Sequence, residues 1–391
     1  MPANRATGLI TACDKRYTHK ENPDMQLRGV KYVATVGGAV AVALLAACSS
    51  SSSSSTSSPG ATSAPGETSA AAAASGTLNG SGSTLQLTFQ QAAIAAFKST
   101  SPSITVNYAG VGSGTGRANL YANTVNFAGS DSSIPATEQS KVPAGATVLY
   151  YPVLIGPIAV TYNLPNVTNL KLDGPVLANI FSGKVTTWND PAIKALNSGA
   201  SLPSTPITLA VRSDSSGTTQ NFSLFLQEAG GSAWALGSSS TIKWPSTAHA
   251  ASGNGGVATV VKSTVGAIGY NDYATAKASN LSTAVIKNKD GNYVAPSTAA
   301  ASAAADGAAV ASNLTFHAVW APGAQAYPIT AQSWILVYQK QPNANDVALL
   351  KAYIGYLLSS QGQALLAPLG YAPLPSSLDA KAQAQLSMLT S

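Results

Sequence analysis

The chain has 391 residues, of which 45% are hydrophobic and only 9% charged, with 21 Lys plus Arg against 15 Asp plus Glu. This excludes a highly charged disordered protein, a coiled coil, whose heptad edges need charge, and collagen, since the 34 glycines follow no triplet period. Two cysteines are too few for a disulfide scaffold, and the length suits one large domain or two lobes of ordinary size.

Residues 1 to 47 hold 6 of the 21 basic and 3 of the 15 acidic side chains, so the other 344 residues keep 15 basic and 12 acidic, with no run of Lys or Arg. A nucleic-acid footprint needs clustered positive charge, so no nucleic-acid partner is expected. Arg28 and Lys31 precede an uncharged stretch from 33 to 47. As a helix it would cover about 22 Å, short of the roughly 30 Å hydrocarbon core, which makes it a signal peptide rather than a membrane span. It ends in LAAC, which resembles the lipobox of bacterial lipoproteins, in which Cys48 becomes the acylated amino terminus; a free Cys48 behind a plain signal is the alternative. Met25 is an alternative start, because the 24 residues before it are polar and spoil the signal architecture. On that start Cys13 is lost and Cys48 has no disulfide partner. Residues 48 to 77, rich in Ser, Ala, Gly and Pro with a single charge at Glu67, read as a flexible linker. Anchor, tether and body place the protein on the extracytoplasmic side of the cell membrane.

From Leu78 onward, strand-like and helix-like runs alternate, which predicts an α/β body. In chain order, 104–108 reads as a strand, 117–123 as a short helix, and 148–162 as a long β-branched run whose Pro152 and Pro157 suit a strand crossing between lobes. A strand at 207–211 precedes a helix at 218–228, and 265–274 reads as a buried strand followed by a turn. The Ala-rich 299–311 is expected to be a helix capped by Ser297 or Thr298, 329–337 a second crossing run, and 345–366 a helix with Val347, Leu350, Ile354, Leu357 and Leu358 on one face.

Three clusters of Gly, Ser and Thr stand before helix-like runs: GSGST at 80–84, GVGSGTG at 110–116 and RSDSSGTT at 212–219. A helix start presents unpaired N–H groups and partial positive charge; Gly permits close approach and Ser and Thr add hydroxyl donors. Together with Arg212 the three clusters point to an anion site. No cluster continues as a nucleotide loop, and GNGGVA at 253–258 reads as an ordinary loop. No metal or cofactor motif is present, and none is expected.

The order GSGST, VNYAGVGSGTG, TVNFAGSDSSI, VRSDSSGTT, GAIGY and YPIT, with GKVTTWND at 183–190 and IKWP at 242–245, closely resembles the PstS family of phosphate-binding proteins of bacterial ABC-type phosphate importers, over about residues 78 to 380. The resemblance implies a two-lobe type II periplasmic binding protein fold with two hinge-crossing strands: lobe I at 78–158 plus 330–391 and lobe II at 159–329. It implies a phosphate ligand held by Thr84, Leu85, Ser113 and Asp131 from one lobe and by Arg212, Ser216, Gly217 and Thr218 from the other, with Asp214 supporting Arg212. It also implies ABC permease subunits with a cytoplasmic ATPase as partners, and a monomeric, non-catalytic binder.

Arg212 can grip two anion oxygens in a fork, and Asp214 offsets the cost of burying its charge. Asp131 opposes an anion unless the ligand brings a proton, which phosphate keeps near neutral pH and sulfate does not, so the residue selects phosphate. The sequence departs from the family pattern at Leu85, where Phe is common, at GSGTG in place of GSSGG, at Asn126 in place of Asp, and at Ser215 in place of Gly. Two alternatives stand beside this reading. One is a tethered binder or sensor of another oxyanion such as a phosphonate. The other is an extracytoplasmic phosphatase using Ser113 or Ser216, which lacks a GxSxG elbow and has only His249 and His317 as bases in the mature chain.

Overall fold

A computed structural model describes residues 74–391; the expected signal segment, Cys48 and nearly all of the linker lie outside them. The first strand starts two residues before Leu78, because Gly76 and Thr77 already pair in a sheet: β1 (Gly76–Gly82) runs parallel to β2 (Ile104–Gly110), with Gly76 opposite Ile104. Between them, α1 (Leu87–Thr100) buries Phe89, Ala93 and Phe97, one helical turn apart. Then α2 (Ser113–Tyr121) begins four residues before the expected Arg117, so that the second glycine cluster itself forms the first turn. It leads to β3 (Phe127–Ser130), which pairs with the other side of β1.

The long run at Val148–Tyr162 is one strand, β4, buried along nearly its whole length. Beyond it come β5 (Lys171–Leu172), α3 (Gly174–Phe181) and α4 (Pro191–Leu196), each helix opened by an Asp cap and a Pro in its first turn. Next, β6 (Thr208–Arg212) feeds α5 (Gly217–Gly230), β7 (His249–Ala251) feeds α6 (Gly253–Ser263), and β8 (Ala267–Asp272) feeds α7 (Tyr273–Ala278). Two sequence expectations change here: GNGGVA is the start of α6 rather than an ordinary loop, and the turn after the 265–274 strand is a helix capped by the Asp272 side chain.

Short strands β9 (Ser282–Thr283), β10 (Val285–Lys287) and β11 (Tyr293–Val294) precede α8 (Thr298–Ala305). Ser297 caps α8 as expected, but the helix ends at Ala305 rather than 311, where Asp306 is extended and Gly307 takes a left-handed φ of 78°. The second crossing run is β12 (Thr330–Tyr338). The expected helix at 345–366 is three pieces, α9 (Ala344–Leu358), α10 (Ser360–Ala364) and α11 (Leu366–Leu369). Ser359 makes the break: its backbone is extended and its hydroxyl accepts the Gly362 N–H at 3.1 Å, capping α10. An unanticipated α12 (Ser376–Gln385) docks on β4, where Gln385 Nε2 donates to Tyr150 O at 2.8 Å.

The main sheet runs β2-β1-β3-β12-β4-β8-β6-β7, with β9 also on β4, while β11-β10-β5 form a small separate sheet. β4 belongs to both ends of the main sheet. Val148 to Pro157 pair with β12, and Ile158 to Tyr162 pair with β8. Pro157, which has no N–H to give a ladder, sits where the partner changes. Pro152 sits at the other irregularity, a register shift between Ser333 and Trp334 of β12. That bulge lies beside Ser333, which reaches the site described next. One large apolar cluster runs through the body, with a small satellite in which Val257 and Val261 of α6 pack on Ala210 of β6.

Candidate functional site

The carboxyl ends of β1, β2 and β6 each run into one of the three clusters that the sequence marked, and these loops meet at Asp131, which follows β3. From the first, Ser83 Oγ accepts the Leu85 and Gln86 N–H groups at 3.0 and 3.3 Å. With both acceptor positions used, its proton goes to Asp131, whose oxygens lie at 2.6 and 2.7 Å. Ser333 likewise receives Gln86 Nε2 at 2.7 Å and donates to Asp131 Oδ1. Ser113 Oγ accepts the Asp131 N–H at 3.2 Å and lies 3.4 Å from Oδ2. Asp131 is thus a buried acceptor, 1% exposed, surrounded by hydroxyl donors. Burial pushes its carboxyl above the ordinary range, while the Ser333 and Ser83 hydroxyls, the Arg212 charge and Ser113 oppose that rise.

Behind this corner, Arg117 of α2 is fully buried and grips Glu138 with Nε and Nη2 at 2.8 and 2.9 Å. Its Nη1 reaches Ser130 and Ser132 at 3.2 and 3.0 Å, tying the helix that carries Ser113 to the strand end that carries Asp131.

The facing loop supplies Arg212. Its Nε donates to Asp214 Oδ1 at 2.8 Å, its Nη2 to Asp214 Oδ2, and its Nη1 to Thr218 Oγ1 at 3.4 Å. Burial would raise the Asp214 carboxyl, but Arg212 and the Gly253 N–H, 3.0 Å from Oδ1, hold it below its ordinary value. Ser216 caps α5 by accepting the Thr219 N–H at 3.1 Å, leaving the Gly217 and Thr218 N–H groups without intrahelical partners. Gly217 faces the Asp131 corner closely: a Cβ there would stand 2.5 Å from Ser113 Oγ and 2.7 Å from Asp131 Oδ2.

Ser113 and Asp131 are therefore brought against Gly217, Thr84 is joined to Thr218 through Asn254 Nδ2 at 3.0 and 3.2 Å, and Asp214 stands behind Arg212 as the resemblance implied. Ser216 holds the helix start. Leu85 is present through its backbone, but its N–H is engaged by Ser83 and its C=O accepts the Tyr371 hydroxyl at 2.7 Å. The arrangement offers helix N-termini and one guanidinium to an anion, and one carboxylate to a proton that the anion carries.

Residues 67–361 match the PBP superfamily domain. The chain is 36% identical over 316 residues to "Phosphate-binding protein PstS 3" of Mycobacterium leprae, which covers 78% of this chain and 85% of that one. It is 37% identical over 288 residues to "Phosphate-binding protein PstS" of Pasteurella multocida, covering 72% and 81% respectively. The chain belongs to the PstS family.

The fold agrees. A high-affinity periplasmic phosphate-binding protein (PfluDING) bound with phosphate superposes with a TM-score of 0.67 at 23% identity, over 79% of this chain and 93% of that one. A phosphate-binding protein from Stenotrophomonas maltophilia gives 0.65 at 20% identity, over 79% and 93%. This PstS-family chain is thus a mixed α/β protein of two lobes joined by crossing strands. Sequence reasoning missed Ser83, Ser333, Asn254 and the Arg117–Glu138 pair at its site. Ser83 lay inside a marked cluster and Asn254 inside GNGGVA, but Ser333 stood alone in an apolar run and carried no local signal.

Proposed function

We propose that this chain binds inorganic phosphate outside the cytoplasmic membrane and delivers it to an ABC-type importer. The observation that carries the reading is the buried Asp131, an acceptor held by serine hydroxyls within a pocket of anion donors. Such a corner repels a fully ionised tetrahedral oxyanion and accepts a hydrogen bond from one that keeps a proton. Monohydrogen phosphate satisfies both halves, offering ionised oxygens to Arg212 and the helix starts and one O–H to Asp131.

In this reading Thr84, Leu85, Ser113 and Asp131 belong to lobe I, at 78–158 and 330–391, with its edge extended to Gly76. Arg212, Ser216, Gly217 and Thr218 belong to lobe II, at 159–329, and Asp214 orients the guanidinium. The chain works as a monomeric binder rather than a catalyst, held to the membrane through Cys48, and its protein partners are permease subunits coupled to a cytoplasmic ATPase. Among the described residues no helix is long and apolar enough to cross a membrane.

Isothermal titration with phosphate and sulfate tests the reading. Phosphate is expected to bind tightly and sulfate not at all, and Asp131→Asn is expected to lose discrimination by roughly tenfold or more, since a site built around one hydrogen bond penalises the ligand that cannot make it. Wild-type protein that binds the two anions equally, or neither after refolding free of co-purified ligand, sinks it.

A further inference from the structure

Asn254, in the GNGGVA motif, is 1% exposed and opens α6 between the two lobes. Its Oδ1 accepts the Asp272 N–H at 3.1 Å. A backbone N–H only donates, which fixes the side-chain amide with Nδ2 on the other side. There Nδ2 meets two hydroxyls, Thr84 Oγ1 at 3.0 Å and Thr218 Oγ1 at 3.2 Å, and the Asn254 N–H adds a second contact to Thr84 Oγ1 at 3.3 Å.

A threonine hydroxyl has two acceptor positions and one proton. At Thr84 both acceptor positions are taken by Asn254. At Thr218 one is taken by Asn254 and the other by Arg212 Nη1 at 3.4 Å. The only capacity either hydroxyl retains is donation.

We propose that Asn254 is a positioning residue for anion capture: it fills both acceptor positions of Thr84 and, beside Arg212, the second one of Thr218, so that both hydroxyls can only donate to the anion, and it makes that alignment depend on lobe closure because Thr84 lies across the cleft. This rests on the phosphate reading above. It gives the site two corners of opposite demand. Asp131 takes a proton, and the threonine pair rejects one, so phosphate enters in a single orientation with its ionised oxygens on the threonine side.

Asn254→Asp is the informative variant. It retains the acceptor for the Asp272 N–H but replaces the amide donor with a second acceptor, which draws the threonine protons away from the anion and adds a negative charge. Asn254→Ala removes the Nδ2 donor and, with it, the Oδ1 acceptor of the Asp272 N–H, leaving only the backbone N–H contact to Thr84. Titration of phosphate into the full chain is expected to show a loss of roughly tenfold to hundredfold for Asn254→Ala, the range for one or two hydrogen bonds to a charged group. The loss for Asn254→Asp is expected to be larger and to grow as pH rises through the second ionisation of phosphate. In a Thr84→Val, Thr218→Val background the Asn254→Ala loss is expected to shrink to within about twofold, since the hydroxyls it acts through are gone.

Undiminished loss in that background, or an Asn254→Asp loss that ignores pH, overturns the assignment. Urea unfolding of each variant separates a folding defect from a binding one, and a variant that fails to fold leaves the valine background and the other substitution to decide. Wild type that does not bind phosphate overturns both this and the reading beneath it, whereas intact wild-type binding with additive losses overturns the role of Asn254 alone.

Discussion

Gly114 of α2 lies directly under Ser215 of the facing loop: its N–H donates to the Ser215 C=O at 3.0 Å, and a side chain at 114 would fall on the Cβ and Oγ of Ser215. These are two of the positions where the loops depart from the pattern the family shows, with Gly for Ser at 114 and Ser for Gly at 215; Thr for Gly at 115 is a third. The structure makes these two departures one exchange across the cleft, in which the Ser215 side chain occupies the space that a side chain at 114 would need. Ser215 Oγ also gains a partner, Ser240 Oγ at 2.9 Å.

Gly114→Ser is therefore expected to obstruct lobe closure. Overpacking costs about 1 to 3 kcal/mol, and if most of it falls on the closed form, phosphate affinity drops by roughly fivefold to hundredfold. The double variant Gly114→Ser, Ser215→Gly restores the exchange and is expected to return within about threefold of wild type. Titration calorimetry on the four proteins of the cycle measures this, and strictly additive losses would show that the two loops do not share the space.

The parts of this site that could be read from sequence are those in which one segment holds the whole signal. Gly, Ser and Thr before a helix mark an N-terminus whatever the tertiary structure, and a long β-branched run with spaced prolines marks a strand that changes partners. The rest depends on contacts between distant segments. Ser333 reaches Asp131 across 202 positions and Asn254 reaches Thr84 across 170. Arg117 reads locally as an exposed helix residue, until Glu138 and the end of β3 enclose it. The break after Leu358 was hidden for a different reason: the apolar spacing runs through it, and only the Ser359 backbone ends the helix.

The Arg117–Glu138 pair is expected to behave as a buried brace rather than a surface salt bridge. Removing one partner of such a pair leaves the other charge uncompensated, at a cost of about 3 to 5 kcal/mol. Glu138→Gln should lower unfolding stability by an amount near the bottom of that range, because Ser130 and Ser132 still receive Arg117 Nη1. Urea denaturation measures it. A change below about 0.5 kcal/mol would place the pair with ordinary surface ion pairs.

Arg212→Lys tests the fork. Arg212 divides three nitrogens between Asp214 and Thr218, and a lysine ammonium cannot hold both partners in one plane while facing an anion. Loss of a buried charge-assisted set costs about 2 to 5 kcal/mol, so phosphate affinity is expected to fall by at least roughly thirtyfold with the fold intact. Affinity within threefold of wild type would mean that a point charge suffices.

Asp272 predicts how stability varies with pH. It is fully buried, caps α7 through Thr275 N at 2.9 Å, and lies 3.3 Å from the Tyr371 hydroxyl, while its Oδ2 has no hydrogen-bond partner among the described residues. Burial pushes its carboxyl up to about 6; the Thr275 and Tyr371 hydrogen bonds lower it and the Asp131 charge raises it. The unfolded chain titrates this group near 3.9, so between about pH 4 and pH 6 the native state binds the extra proton and stability from this residue falls as pH rises. Below that window the penalty is absent, and above it the penalty is complete at roughly 3 kcal/mol for a shift of about two units. Asn keeps the cap and cannot ionise. Asp272→Asn should therefore gain stability relative to wild type by up to about 3 kcal/mol on going from below this window to above it, whatever its offset at low pH from the unpartnered amide. Urea unfolding at the two ends of the window gives the difference directly. A gap between the two proteins that does not change with pH would mean that Asp272 ionises no later in the folded chain than in the unfolded one.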